Sequence, residues 1–141
     1  MSVKILLPLD DSETSRATVE TVIAQKERFP HPLTLLHVVE TDKLAYRMIP
    51  DFQIEMVRER AREAGGQFLR RQQERFTQAG LDVEARLEEG SPRKLITRIA
   101  NEESYHLLII GRSHAGEIRD VLFGSVANYV LHNVRCPVLL L

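Results

Sequence analysis

A single cysteine, Cys136, stands among 141 residues, so no intrachain disulfide can form. Such usage suits a reducing compartment. An excess of either charge is also missing. Lys+Arg total 19 against 20 for Asp+Glu, which leaves no bulk field to hold nucleic acid or an anionic membrane surface. No window approaches the roughly 18 apolar residues needed to cross a bilayer. The opening MSVKILLPLDD has an apolar run shorter than a signal-peptide core, and no small-residue cleavage site follows. The expected location is therefore the cytoplasm. Linkers, internal repeats and low-complexity tracts are absent, and the length suits one domain over 1–141.

Several chemical signatures are lacking too. There is no G-x-x-x-x-G-K-[ST], and no G-x-G-x-x-G follows a strand-like run. The last lysine is Lys94, so a lysine clamp on phosphate is excluded from the C-terminal third. The histidines show no metal-ligand spacing, which predicts no structural metal. No motif of the H-I-G-H or K-M-S-K-S kind points to nucleotidyl transfer, and no catalytic base stands out.

What remains is a regular alternation. Apolar runs at 3–9, 33–39 and 106–110 read as strands buried on both faces. The run 81–88 alternates Leu81, Val83, Ala85 and Leu87 with polar residues, the pattern of a half-exposed strand near a sheet edge. Val138 to Leu141 is a short apolar terminal strand.

Helical spacing fills the gaps. One helix starts at Asp11 or Ser12 as N-cap and ends before Pro30 and Pro32. A long one runs from about Asp51 to Ala79, with Val57, Ala61, Ala64, Phe68 and Phe76 on its apolar side. Gly65-Gly66 within it predicts a kink or a close packing contact, and Gly80 a C-terminal cap. Ser91-Pro92 opens a third helix, with Ser as cap. A fourth spans 125–134, with Val126, Ala127, Val130, Leu131 and Val134 inward, and Pro137 stops it. Cys136 beside that proline reads as a buried small hydrophobe. Strand and helix alternate throughout, so the sheet is parallel and the class is α/β.

Open parallel sheets bind ligands at the carboxyl ends of their strands, where strand order reverses. Two segments lie at such ends, the one after the first strand (Pro8, Leu9, Asp10) and GRSHAGEIRDVLFGS after the fourth. In the second, Gly124-Ser125 begins a helix. Glycine lets the backbone approach an anion, and the serine hydroxyl and helix N-terminus favour phosphate. Asp10-Asp11 could hold Mg²⁺ in a phospho-acceptor domain. That chemistry needs an acceptor Asp after the middle strand and a late Lys, and the sequence supplies neither.

VKILLPLDDSETS, LTLLHVVE and GRSHAGEIRDVLFGSVANYVLHNVRCPVLLL together resemble universal stress protein domains, in the right order and over essentially the whole chain. The last segment is the specific part, with its G-x2-G-x9-G-[ST] pattern, helix, C-P-V and terminal strand. The resemblance implies a three-layer α/β sandwich of the adenine-nucleotide alpha-hydrolase-like kind. Its five-stranded parallel sheet would have order 3-2-1-4-5, with about four helices and a homodimer through Val138 to Leu141. It also implies ATP or another adenine nucleotide, with Mg²⁺, in the cleft between the first and fourth strands. Residue by residue, Pro8, Leu9 and Asp10 would form the first loop, with Asp10 near the ribose, and Val38 a main-chain contact to adenine. Ile110 and Gly111 would start the second loop, and Gly124, Ser125 and Val126 would cradle phosphate.

His114 stands where the pattern has its second glycine. Two readings follow. Either Arg112, His114 and Arg119 supply charge to a bound phosphate, or the histidine closes the site and the protein acts through dimerisation and partners. A slow ATPase is a third reading, without a positioned base to carry it.

Overall fold

Alternate residues of the apolar runs have to face opposite layers, and they do. The computed structural model of the chain describes residues 3–41, 49–112 and 125–141. Its elements are β1 (Ile5–Pro8), α1 (Glu13–Ala24), a 3₁₀ turn (Lys26–Arg28), β2 (Leu33–Glu40), α2 (Asp51–Gln78), β3 (Val83–Gly90), α3 (Pro92–Glu102), β4 (Leu107–Ile110), α4 (Ser125–Asn133) and β5 (Val138–Leu140). The five strands form one parallel sheet in the order β3-β2-β1-β4-β5, as expected.

Ile5, Leu7, Leu33, Leu35 and Ile109 bury one face of the sheet against Val19 and Val22 of α1 and Phe68, Leu69 and Phe76 of α2. Leu6, Leu36, Leu108 and Ile110 bury the other against Ile96 and Ile99 of α3 and Val130 of α4. Covering both faces explains why the central strands read as unbroken apolar runs. The weaker alternation of β3 fits its place at one edge.

Local chemistry sets the boundaries. Ser12 caps α1, its hydroxyl accepting the Ser15 N–H at 3.1 Å. The helix stops at Ala24, and the 3₁₀ turn intervenes before Pro30 and Pro32. Gly80 has φ +88°, and the Gly80 and Leu81 N–H groups donate to the Thr77 and Phe76 carbonyls, a Schellman ending for α2. Ser91 occupies the cap position of α3, but its hydroxyl makes no capping bond. The first turn is closed by the Leu95 N–H on the Ser91 carbonyl at 2.9 Å.

Gly65 resolves the question of the glycine pair. A Cβ there would lie 2.8 Å from Val39 Cγ2 and 3.3 Å from Leu87 Cδ1, so α2 lies directly on β2 and β3. Gly66 has open space. Two other expectations change. Val57, Ala61 and Ala64 are not fully buried, whereas Leu69 joins the core. Cys136 is half-buried beside the second cluster, and burial pushes its thiol up, away from the reactive thiolate.

Candidate functional site

A cleft of about 850 Å³ opens at the carboxyl ends of β1, β2 and β4, within the size range of small-molecule sites. This is the point where the chain order of the sheet reverses, since β1 lies between β2 and β4. Pro8, Leu9, Asp10, Val38, Ile110, Gly111, Ser125 and Val126 all line it. Residues separated by more than a hundred positions are thus brought together. Arg112 is not part of the lining. Its backbone N–H donates to the Leu141 carbonyl at 2.9 Å, continuing the β4–β5 ladder, and the residue is exposed. His114, Arg119 and Gly124 lie outside the described residues. Val126, expected inward, is 36% exposed and faces the cleft instead of the core.

The first wall is held by a compact set of hydrogen bonds. Asp10 Oδ1 accepts from the Ser12 N–H at 3.1 Å and from the Ser15 hydroxyl at 2.9 Å, and that hydroxyl lies 2.9 Å from the Asp10 N–H. One carboxylate oxygen is thereby fixed. The Leu9 N–H donates to the Leu36 carbonyl, tying this loop to β2. His37 Nδ1 lies 2.8 Å from the Leu9 carbonyl. A carbonyl only accepts, so Nδ1 carries the proton and donates. The ring also packs on Phe68, with centroids 4.8 Å apart.

Gly111 is required by close approach. A Cβ at this position would fall 2.1 Å from Thr18 Oγ1 and 2.8 Å from Thr14 Cγ2. The end of β4 therefore rests on the first turns of α1. The opposite wall comes from α2, through Ala61, Ala64, Gly65, Phe68 and Arg71. The spacing of the small residues with Phe68 was legible as a helix face. That this face turns toward the cleft was not, because nothing local encodes where a long helix crosses the sheet. His37, next to Val38 on β2, also lines the cleft. Among the described residues no cluster of three His, Cys, Asp or Glu side chains is placed to hold a metal ion, and no helix is long and apolar enough to cross a membrane.

Comparisons with known proteins agree on one group. A family model described as "Universal stress protein family" matches residues 1–141. Universal stress protein MJ0531 of Methanocaldococcus jannaschii is 25% identical over 136 residues, covering 96% of this chain and 79% of that protein. Among solved structures, protein MJ0577 superposes with a TM-score of 0.82 at 25% identity, covering 100% of this chain and 96% of that one. A universal stress protein family member from Arabidopsis thaliana with AMP bound has a TM-score of 0.72 at 15% identity, covering 99% and 90%. A universal stress protein in complex with cAMP has a TM-score of 0.65 at 21% identity, covering 99% and 96%. At those two identities the likeness speaks for the fold.

Proposed function

The chain belongs to the universal stress protein family, and on that premise we propose that its cleft binds an adenine nucleotide, ATP included, making it a nucleotide-responsive regulator in the cytoplasm rather than a fast enzyme. The observation that carries this reading is the convergence of Pro8–Asp10, Val38, Ile110–Gly111 and Ser125–Val126 on one cleft at the switch point of the sheet. The groups suit such a ligand. Leu9, Val38 and Ile110 offer an apolar seat for a base. The unheld oxygen of Asp10 suits a ribose hydroxyl, and Ser125 at the start of α4 suits phosphate. Relatives of the same fold hold AMP and cAMP, which supports the adenine assignment.

Calorimetric titration with ATP and AMP, with and without Mg²⁺, tests it. Micromolar binding is expected, and Val126→Trp, which fills the cleft from an exposed position, should abolish it. Absence of binding in both the wild type and His114→Gly would overturn the reading. Phosphate release that Ser125→Ala abolishes would add a slow ATPase to it.

We also propose a homodimer through β5. This strand ends the sheet, is wholly apolar, and leaves Leu140 36% exposed. Sedimentation of the purified chain tests it, and a monomer at all concentrations would remove it.

A further inference from the structure

The peptide unit between Leu9 and Asp10 is held from two sides. Its carbonyl lies 2.8 Å from His37 Nδ1, and its N–H lies 2.9 Å from the Ser15 hydroxyl. One clamp comes from β2 and the other from α1. A peptide is a rigid plane, so two bonds across it fix its tilt. The tilt in turn sets the direction in which Asp10 carries its carboxylate.

The carbonyl end is not held as a sheet would hold it. β1 and β2 keep register up to Pro8 beside Leu36, and the Leu9 N–H adds one more bond, to the Leu36 carbonyl at 2.8 Å. In a parallel ladder the next rung would run from the Val38 N–H to the Leu9 carbonyl. That rung is not made, and the His37 side chain supplies the donor instead. The ring is itself located by α2. It packs on Phe68 with the planes tilted by 50°, and a Cβ at Gly65 would come within 3.3 Å of His37 Cδ2. The bonds from Ser12 and Ser15 join Asp10 to α1, a few residues away in the chain. The bond from His37 ties the Leu9–Asp10 peptide to the sheet across 28 positions.

Resting on the nucleotide reading above, we infer that His37 is a positioning residue for that site. Its Nδ1–H holds the Leu9–Asp10 peptide at the tilt that presents the Asp10 carboxylate to a ribose hydroxyl of the ligand. His37 acts through this peptide and not by touching the sugar. Pre-organisation of this kind strengthens binding by reducing the ordering that a ligand must impose. Two substitutions separate the bond from the packing. His37→Phe keeps an aromatic ring against Phe68 and removes the donor. His37→Asn gives up the ring and keeps an N–H donor two bonds from Cβ, where Nδ1 stands.

The test is calorimetric titration of the full chain with AMP and with 2′,3′-dideoxyadenosine monophosphate, on wild type, His37→Phe and His37→Asn. A hydroxyl bonded to a carboxylate should make AMP bind wild type about tenfold or more tightly than the dideoxy compound. His37→Phe should bring that ratio to within about twofold of one, and His37→Asn should keep most of it. A role in packing alone gives the opposite order, because the phenylalanine is then the better replacement. Circular dichroism checks that each variant folds. Should His37→Phe not fold, His37→Asn decides, by keeping the ratio or losing it. An unchanged ratio in His37→Phe, a lost ratio in folded His37→Asn, or equal binding of the two compounds by wild type would overturn the inference and leave the nucleotide reading standing. If no nucleotide binds wild type, the inference falls together with the reading it rests on.

Discussion

The two edges of the sheet are built on opposite plans. At one edge β3 runs for eight residues and carries Glu84, Arg86, Glu88 and Glu89. Arg86 grips the Glu103 carboxylate with two bonds of 2.6 and 2.8 Å, and Arg62 on α2 donates to Glu89 at 2.9 Å. At the other edge β5 has three residues, Val-Leu-Leu, with no charge. The Leu141 N–H bonds the Ile110 carbonyl, and the Pro137 carbonyl accepts from the Leu108 N–H. By strand alternation, the N–H and C=O groups of Val138 and Leu140 point away from the sheet. The edge with the longer row of pairing groups is the one studded with charge, and the short edge is left bare. Charged side chains are a standard way to deny an edge to a second strand. The comparison teaches that pairing capacity is directed to one side of this molecule.

The strongest way to break the contrast is Leu140→Pro. It removes an outward N–H and spares the β4 ladder, as proline is tolerated on edge strands. If β5 joins two copies, this variant should sediment as monomer with its circular dichroism unchanged. Leu139→Lys is a poorer probe, since Leu139 packs on the core. Next, Glu84→Val with Glu88→Val should make the β3 edge resemble β5, and light scattering should then detect species beyond the dimer.

A third test concerns what covers the charged half of the sheet. Gly65→Ala forces a methyl group onto Val39 and Leu87 and should lower unfolding free energy by about 1–3 kcal/mol in urea. Gly66→Ala, one residue on and in open space, should raise it by about 0.5–1 kcal/mol. Comparable in size is Arg86→Met, expected to cost about 0.5–1 kcal/mol because the ion pair is partly solvated.

The smallest effect is one of pH. The hydrogen bond from Arg86 is the main cause that holds the Glu103 carboxyl below its ordinary range. Its stabilisation is therefore complete above the unfolded pKa of about 4.3 and is lost as pH falls through the lower folded value. Melting temperatures from pH 6 to pH 2 should fall less steeply in Glu103→Gln than in wild type.

Most of the architecture could be read in the sequence because parallel strands covered on both faces leave an unmistakable apolar signature, and because Ser12, Gly80 and Pro92 mark helix ends by local chemistry alone. The cleft was legible as far as it is built from strand ends, whose position follows from topology. The α2 wall was not. Phe68 looks in sequence like a core residue, which it is, and only the crossing of α2 over β2 and β3 brings it to the edge of the cleft as well. Arg112 shows the reverse. A charged residue in a glycine-rich loop suggests a phosphate contact, and nothing local shows that its backbone N–H extends the β4–β5 ladder.

Gly111, seated on Thr14 and Thr18 with no room for a methyl group, gives the cleft a mechanical character. The end of β4 and the first turns of α1 meet at the base of the cleft in direct contact, like the closed end of a vice already screwed down. A side chain at position 111 would have to push α1 away from the sheet before it could reach into the cleft.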